Sequence, residues 1–323
     1  MRFWNRILAA GTVLILALTP AVAQDYPVRP ITFVVPYPAG GSTDLLARAV
    51  ADPLRERLGQ PVIVENRPGG GGLVGLEVVT RPQADGYTIV LGGTHNVTLA
   101  ALGVSKSIDT INDLKPVAVI GDIPNALSAG PSAKQKSVAE LVARAKAAPG
   151  EINIGHPGNG TPGHLLIALL AQDARVDVVA VPYRGNQPAA TDLMGGHIPF
   201  MMGNLAGTLP FLEGGKVKLV ATTGNKRSSF TPDIPTFAEA GLGAGFDTGV
   251  WAGIMAPKGT PDAIITRLAE NIEAVLKQPA TIERLRKLGT EITYGGPADY
   301  SARMKSEYEL WKKVVTDANI KPD

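Results

Sequence analysis

The chain has 323 residues, 45% of them hydrophobic and 19% charged, with 37 glycines, 26 prolines and no cysteine. This composition excludes a disordered or collagen-like chain, and the missing cysteine excludes disulfides, thiolate metal sites, cysteine nucleophiles and a lipidated N-terminal cysteine. Lysine and arginine number 31 against 29 acidic residues, a formal net charge of +2, without the basic excess of a nucleic-acid binder.

Arg2 and Arg6 precede the apolar stretch Ile7–Leu18, and Ala21-Val22-Ala23 offers a small-residue cleavage site. The pattern predicts a secretory signal peptide over residues 1–23. A membrane anchor is the poorer reading, because a helix over Ile7–Leu18 reaches about 18 Å against a hydrocarbon core of about 30 Å. Removal of the peptide takes away two arginines and no acid, leaving 300 residues with 29 charges of each sign. The mature chain is therefore expected to be neutral, soluble and free in a periplasm.

Ile31–Val35 is a β-branched strand that runs into Pro36-Tyr37-Pro38-Ala39-Gly40-Gly41. Ser42-Thr43-Asp44 then offers capping side chains ahead of a helix carrying Leu46, Ala49, Leu54 and Leu58. Strands follow at 62–64, 87–91 and 117–120, with a helix over 75–79. The pattern restarts with a helix at 138–147 and a strand at 152–155. Thr161 and Pro162, at N-cap and first helical position, announce a helix to Leu170. Strands at 176–181, 199–202, 217–222 and 251–256 follow, with a helix ending at Leu193. Long helices at 261–277, 279–288 and 297–316 close the chain. Strands alternating with helices in two successive units predict an α/β fold of two lobes, each with a mainly parallel sheet. In such sheets ligands bind outside the carboxyl ends of the strands.

Gly70-Gly71-Gly72-Leu73-Val74-Gly75 matches G-x-G-x-x-G in register, but residues 90–100 hold no acid to grip a ribose, so the segment reads as a plain Gly-rich loop. No G-x-S-x-G nucleophile motif, no H-E-x-x-H and no phosphate-binding P-loop is present, and nothing singles out a pair of carboxylates. His164 reads as a packing or capping residue on its helix, whereas His95 and His156 fall in strand-to-helix loops as candidate hydrogen-bonding groups of a pocket. The loop Tyr37–Ser42 puts backbone N–H groups at a helix N-terminus, a natural carboxylate cradle, and Gly158-Asn159-Gly160-Thr161 repeats that arrangement in the second lobe. Each loop alone is equally a turn with a good cap; their equivalent positions point to one shared ligand.

Six segments carry a more specific signal: Tyr26–Ile31, Val35–Asp44, Gly59–Gly69, Pro82 with Asp85-Gly86-Tyr87, Val181–Gly185, and Ala256–Pro261. Together with Gly158–Thr161 they resemble the solute-binding receptors of tripartite tricarboxylate transporters, the Bug family, over essentially the whole mature chain. The resemblance implies a two-lobed periplasmic binding protein of type II, a Venus flytrap without catalysis, cofactor or metal. It implies lobe one over 26–124 plus 251–323 and lobe two over 125–250, with a hinge near Asn125 and Gly249. The implied partners are a small carboxylate and the membrane permease subunits of the transporter, and the receptor itself is expected to be a monomer.

On the same resemblance Pro38–Ser42 grips a ligand carboxylate, Gly158, Asn159 and Thr161 close from the other lobe, and Tyr183, Gly185 and Asn186 line the cleft. Thr94 and His95 are expected beside them. Two positions depart from the family pattern: Gly203-Asn204 stands where many relatives have aspartate and asparagine, and His156-Pro157 replaces small residues. Glycine at 203 cannot pair with a ligand ammonium, so a carboxylate without an amino group is expected, an aromatic acid using room at Gly203 or a citrate-like acid. A secreted α/β hydrolase or transferase is the alternative from another class, and an adaptor for a two-component sensor would keep the same fold.

Overall fold

The structure is a computed structural model that describes residues 26–321 apart from 213, 244 and 248, so the expected signal peptide lies outside the described residues. β1 (Ile31–Val35) is a buried β-branched run. It feeds α1 (Ser42–Leu58), which buries Leu46, Val50, Leu54 and Leu58 at intervals of one turn. Gly59 ends α1 in the left-handed region at φ 67°, its N–H donating to the Arg55 carbonyl. β2 (Val62–Asn66), α2 (Leu73–Thr80), β3 (Thr88–Gly93), α3 (Thr94–Leu102) and β4 (Leu114–Ile123) follow.

Only Pro124 separates β4 from β5 (Asn125–Ala129), where the chain enters a second unit. That unit contains α4 (Val138–Ala147), β6 (Asn153–His156), α5 (Pro162–Ala174), β7 (Val179–Pro182), α6 (Asn186–Gly195), β8 (Phe200–Asn204), α7 (Leu205–Thr208) and β9 (Lys218–Thr222). The chain returns as β10 (Val250–Pro257) and ends with α8 (Asp262–Leu276), α9 (Pro279–Lys287), β11 (Glu291–Gly295) and α10 (Pro297–Asp317). The first sheet has the order β11-β4-β10-β3-β1-β2 and the second β7-β6-β8-β5-β9.

The two-unit α/β architecture agrees with the sequence reading, but the sheets are mixed rather than mainly parallel. β1 pairs in parallel with β2 and β3, while β10 runs antiparallel to both β3 and β4. In the second sheet β6 pairs in parallel with β7 and β8, and β5 runs antiparallel to β8 and β9. The crossing is the reason. β4 leaves the first sheet where β10 returns to it, with Ile123 opposite Val250, and β5 enters the second sheet where β9 leaves it, with Ala126 opposite Thr222. An outgoing and a returning strand lying side by side must point in opposite directions.

α10 seals this junction. Its Tyr300 presses onto the first sheet where two glycines leave space: a Cβ on Gly92 would stand 2.7 Å from the Tyr300 hydroxyl, and one on Gly253 would stand 2.5 Å from its ring. Farther along, the Gln172 side chain of α5 donates to the Val314 carbonyl of α10 at 3.1 Å. α10 thus touches both units, and one buried cluster includes Val97, Leu99, Leu165, Leu169, Trp311 and Val315.

Gly93 is the tightest backbone approach at the junction, with φ 137° and an added Cβ only 2.2 Å from the Trp251 carbonyl oxygen. Gly103, at φ 65°, has open space around it. Gly103→Ala is expected to destabilise by about 1 kcal/mol, the left-handed penalty alone, and Gly93→Ala by about 3 kcal/mol once the clash is added. Urea unfolding of both variants checks the difference.

Candidate functional site

A cavity of about 200 Å³ lies where the carboxyl ends of strands from both sheets meet. From the first unit it takes Tyr37, Thr43 and Leu46, then Leu91, Gly92, Thr94 and His95. Pro157, Thr161, Pro162 and Gly163 face them from the second unit with Asn186 and Asn204. Ile123, Asn125, Val250, Trp251 and Ala252 supply the wall at the crossing. A larger groove of about 890 Å³ runs between the loop after α3 and α10, but it is open and holds none of the residues that the sequence singled out.

The chemistry of the smaller cavity is set by what lines it: among the described residues no aspartate, glutamate, lysine or arginine does. Instead, first-turn or capping residues of five helices lie at it: Thr43 of α1, Thr94 and His95 of α3, Thr161 to Gly163 of α5, Asn186 of α6 and Asn204 of α7. Helix N-termini carry unpaired N–H groups and partial positive charge, a setting that favours an anion. α1 begins at Gly41 with no side chain capping it. The nearby Asp44 carboxylate, buried behind the loop, is occupied by the Gly40 N–H at 2.9 Å, Arg48 Nε at 3.0 Å and Asn66 Nδ2 at 2.9 Å. Burial alone would raise Asp44, and the Arg48, Gly40 and Asn66 hydrogen bonds outweigh it and hold the carboxyl below its usual range.

Three polar atoms among the lining residues are buried without a hydrogen-bond partner among the described residues: His95 Nε2, Asn125 Nδ2 and Asn186 Oδ1. Such groups carry the desolvation penalty of an unmade bond, about 1–3 kcal/mol each, which a polar ligand recovers. Burial pushes His95 down to about 4 and the Tyr37 hydroxyl up to about 12, so both are neutral at pH 7. The two rings meet edge to face at 5.5 Å. The Gly-rich segment packs beneath them: the Tyr37 hydroxyl donates to the Gly71 carbonyl at 3.3 Å, and a Cβ on Gly72 would stand 3.3 Å from the His95 ring.

Of the residues expected from sequence, Tyr37, Thr94, His95, Thr161, Asn186 and Asn204 meet at this cavity. Pro38, Ala39, Gly40, Gly41 and Ser42 form the exposed loop that enters α1 beside it. Gly158 and Asn159 belong to the loop between β6 and α5, which the Thr161 hydroxyl ties by donating to the Gly158 carbonyl at 2.6 Å. His156 does not line the cavity: it is fully buried, with Nδ1 2.9 Å from the Gly158 carbonyl oxygen and its ring stacked on His164 at 4.5 Å. Tyr183 turns away as well, donating to Asp192 Oδ2 at 2.8 Å, while the Gly185 N–H donates to the Pro157 carbonyl at 2.9 Å.

The room expected beside Gly203 is not there. A Cβ on Gly203 would stand 2.5 Å from Asn186 Oδ1, because the Asn186 carboxamide fills the space that a larger residue would take. Asn204 has its Oδ1 committed to the Gly207 N–H at 2.7 Å, as the N-cap of α7. Sequence reasoning missed Thr43, Asn125 and Trp251. Asn125 was legible only as a hinge position, and Trp251 only as a strand residue.

The two neutral histidines have a consequence for stability. Unfolded histidine takes a proton near pH 6.5, whereas burial holds folded His95 and His156 down to about 4. Between those values the unfolded chain binds more protons, so stability falls as pH falls, by about 1.4 kcal/mol per pH unit for each fully offset histidine. Below about 4 the folded forms protonate too and this contribution to the slope ends. His95→Gln is expected to remove one proton's share of the slope between pH 6 and 4.5 in urea unfolding; an unchanged slope would refute it.

The receptor model of the tripartite tricarboxylate transporter family matches residues 46–320. BugT of Bordetella pertussis is 35% identical over 304 residues, which span 94% of this chain and 93% of BugT. An R. palustris protein solved with adipate superposes with a TM-score of 0.80 at 36% identity, covering 93% of this chain and all of that one (100%). The periplasmic binding protein BugD gives 0.74 at 32% identity over 92% of this chain and 100% of BugD. MatC from Rhodopseudomonas palustris, solved with bound malate, gives 0.75 at 31% identity over 90% of this chain and 100% of MatC.

Proposed function

The chain belongs to the receptor family of the tripartite tricarboxylate transporters, and on that premise we propose that it captures a small carboxylate without an amino group in the periplasm and hands it to the transporter's permease. Receptors of this family bind solutes, and the hydrolase reading finds no support among the relatives. The observation that carries the proposal is the cavity wall, which offers helix N-termini and neutral polar groups to an anion and no carboxylate to an ammonium. Its volume of about 200 Å³ is below the roughly 300–1,000 Å³ usual for drug-sized ligands, which suits a short carboxylic acid. Adipate and malate in the solved relatives are acids of this kind.

In this reading the ligand carboxylate sits at the Pro38–Ser42 loop and the start of α1, with Thr161 and Asn186 closing from the second lobe. Lobe one comprises 26–124 and 251–323, lobe two 125–250. Residues 1–23 are an export signal, and the mature receptor works as a monomer without catalysis. The space taken by Asn186 beside Gly203 favours a slender aliphatic acid over an aromatic one.

Calorimetric titration with adipate, malate, benzoate, aspartate and glutamate tests the proposal. Adipate or malate is expected to bind, and the amino acids to bind at least about 100-fold more weakly, since an unpaired buried charge costs about 3 kcal/mol. Tight binding of glutamate or aspartate alone would overturn the ligand class. Gly41→Val, whose added Cβ has only the Pro38 carbonyl oxygen at 3.4 Å beside it, is expected to fold normally and to weaken binding by screening the α1 N-terminus. Small-angle scattering is expected to show a smaller radius of gyration at ligand saturation, as the lobes close about Pro124 and Gly249; an unchanged radius would remove the closure mechanism.

A further inference from the structure

Trp251 lines the cavity and also contacts a set of charges, Asp122, Arg303 and Glu307, that lie outside the cavity lining. It is 1% exposed, and three residues of α10 contact its ring. The indole N–H donates to Glu307 Oε2 at 2.7 Å. The Arg303 guanidinium lies over the ring at 4.7 Å, and Tyr300 meets it edge-on at 4.8 Å. Arg303 Nε donates to the second Glu307 oxygen at 3.1 Å, and its Nη2 pairs with Asp122. Asp122 is the β4 residue directly opposite Trp251 in the sheet. Behind the indole, a second cavity of about 450 Å³ is lined by Glu307, Arg303 and Asp122 together with Pro124 and Gly249.

We propose that Arg303 and Glu307 are positioning residues for ligand binding: they fix the plane of the Trp251 indole and thereby the shape of the ligand cavity's wall. The α10 helix is built for this. Tyr300, Arg303 and Glu307 follow one another at helical spacings of three and four, so one face of the helix presents all three groups to the same ring. The indole main chain is anchored independently, its N–H donating to Thr94 Oγ1 at 2.9 Å, which leaves the ring orientation to the side-chain contacts. Indole N–H is a donor only, so a buried ring in this orientation needs an acceptor at the Glu307 position. The pairing of Glu307 with Arg303 spares the carboxylate from lying unpaired in the interior, where it would be strongly unfavourable.

The inference rests on the cavity being the ligand site, so its test has one arm that needs no ligand. The chain has three tryptophans, and with Trp4 and Trp311 changed to phenylalanine Trp251 is the remaining indole. In that background Glu307→Leu and Arg303→Lys are expected to raise acrylamide quenching of the emission and shift its maximum. Glu307→Gln, which keeps an acceptor for the indole N–H, is expected to restore most of the parent signal. Titration with adipate is expected to give about tenfold weaker binding for Glu307→Leu, the loss that follows from a charged hydrogen bond, and a smaller loss for Glu307→Gln. Unchanged quenching and emission in folded Glu307→Leu, or in folded Arg303→Lys where the leucine variant does not fold, would overturn the positioning role. Failure of the parent chain to bind any of the acids would instead strike the ligand reading, leaving the quenching comparison to decide the role of Arg303 and Glu307.

Discussion

One residue, Pro124, joins the last residue of a strand in one sheet to the first residue of a strand in the other. Most of the molecule follows from that constraint. Proline has no N–H to donate to a ladder, so the ribbon β4–β5 is divided between the sheets at this point. The return at Gly249 lies against it: a Cβ on Gly249 would stand 3.1 Å from the Ile123 carbonyl oxygen. The two crossings are also joined by the Asn125 N–H, which donates to Thr223 Oγ1 at 2.9 Å, and by the Thr223 N–H, which donates to the Asn125 carbonyl at 2.8 Å. With the sheets tied this closely, the carboxyl ends of their parallel strands face one another, and the helices that follow those strands begin at a common place.

This convergence explains a cavity suited to an anion without a charged lining residue among the described residues. A guanidinium or ammonium would carry a full charge into the interior, with a desolvation cost of several kcal/mol. Helix N-termini supply partial charge from backbone groups that are already ordered, each worth about 0.3–1 kcal/mol and up to about 2 in a partly buried setting. The real charges stay one layer back. Asp44 is held by Arg48, Gly40 and Asn66 behind the α1 loop, and Asp122, Arg303 and Glu307 are gathered behind Trp251. Burial pushes the Glu307 carboxyl up, with the Arg303 guanidinium and the indole N–H pulling against it.

α10 has a place that its position at the end of the chain does not suggest. It packs Tyr300 against the glycines of β3 and β10, holds the charges behind Trp251, and meets α5 of the second unit through Gln172 and Val314. A relative movement of the units must therefore be accommodated along this helix as well as at Pro124 and Gly249. The loop between β6 and α5 is bound in the same way to the first unit, since a Cβ on Gly160 would stand 2.7 Å from Leu102 Cδ1.

Elements whose identity is local were legible in their own residues. β-branched runs made the strands, Pro162 after Thr161 started α5, Gly59 ended α1, and the loops rich in glycine and asparagine marked the strand ends beside the cavity. The family was legible in the sequence too, through segments such as Val35–Asp44 and Val181–Gly185. Four elements escaped it. β5 is only five residues long, α3 opens on Thr94, His95 and Asn96 with no apolar stripe, α7 is a single turn of four residues, and β11 is an edge strand of Glu291–Gly295. The direction of the strands at the crossing was set by packing of the whole chain, because pairing between Ile123 and Val250 has no local signal across more than a hundred residues. The same holds inside the cavity. Whether Gly203 opens a space depends on where the Asn186 carboxamide lies, and whether Trp251 is a wall depends on α10 holding it there. Those are contacts between distant segments, set by packing rather than by the residues on either side.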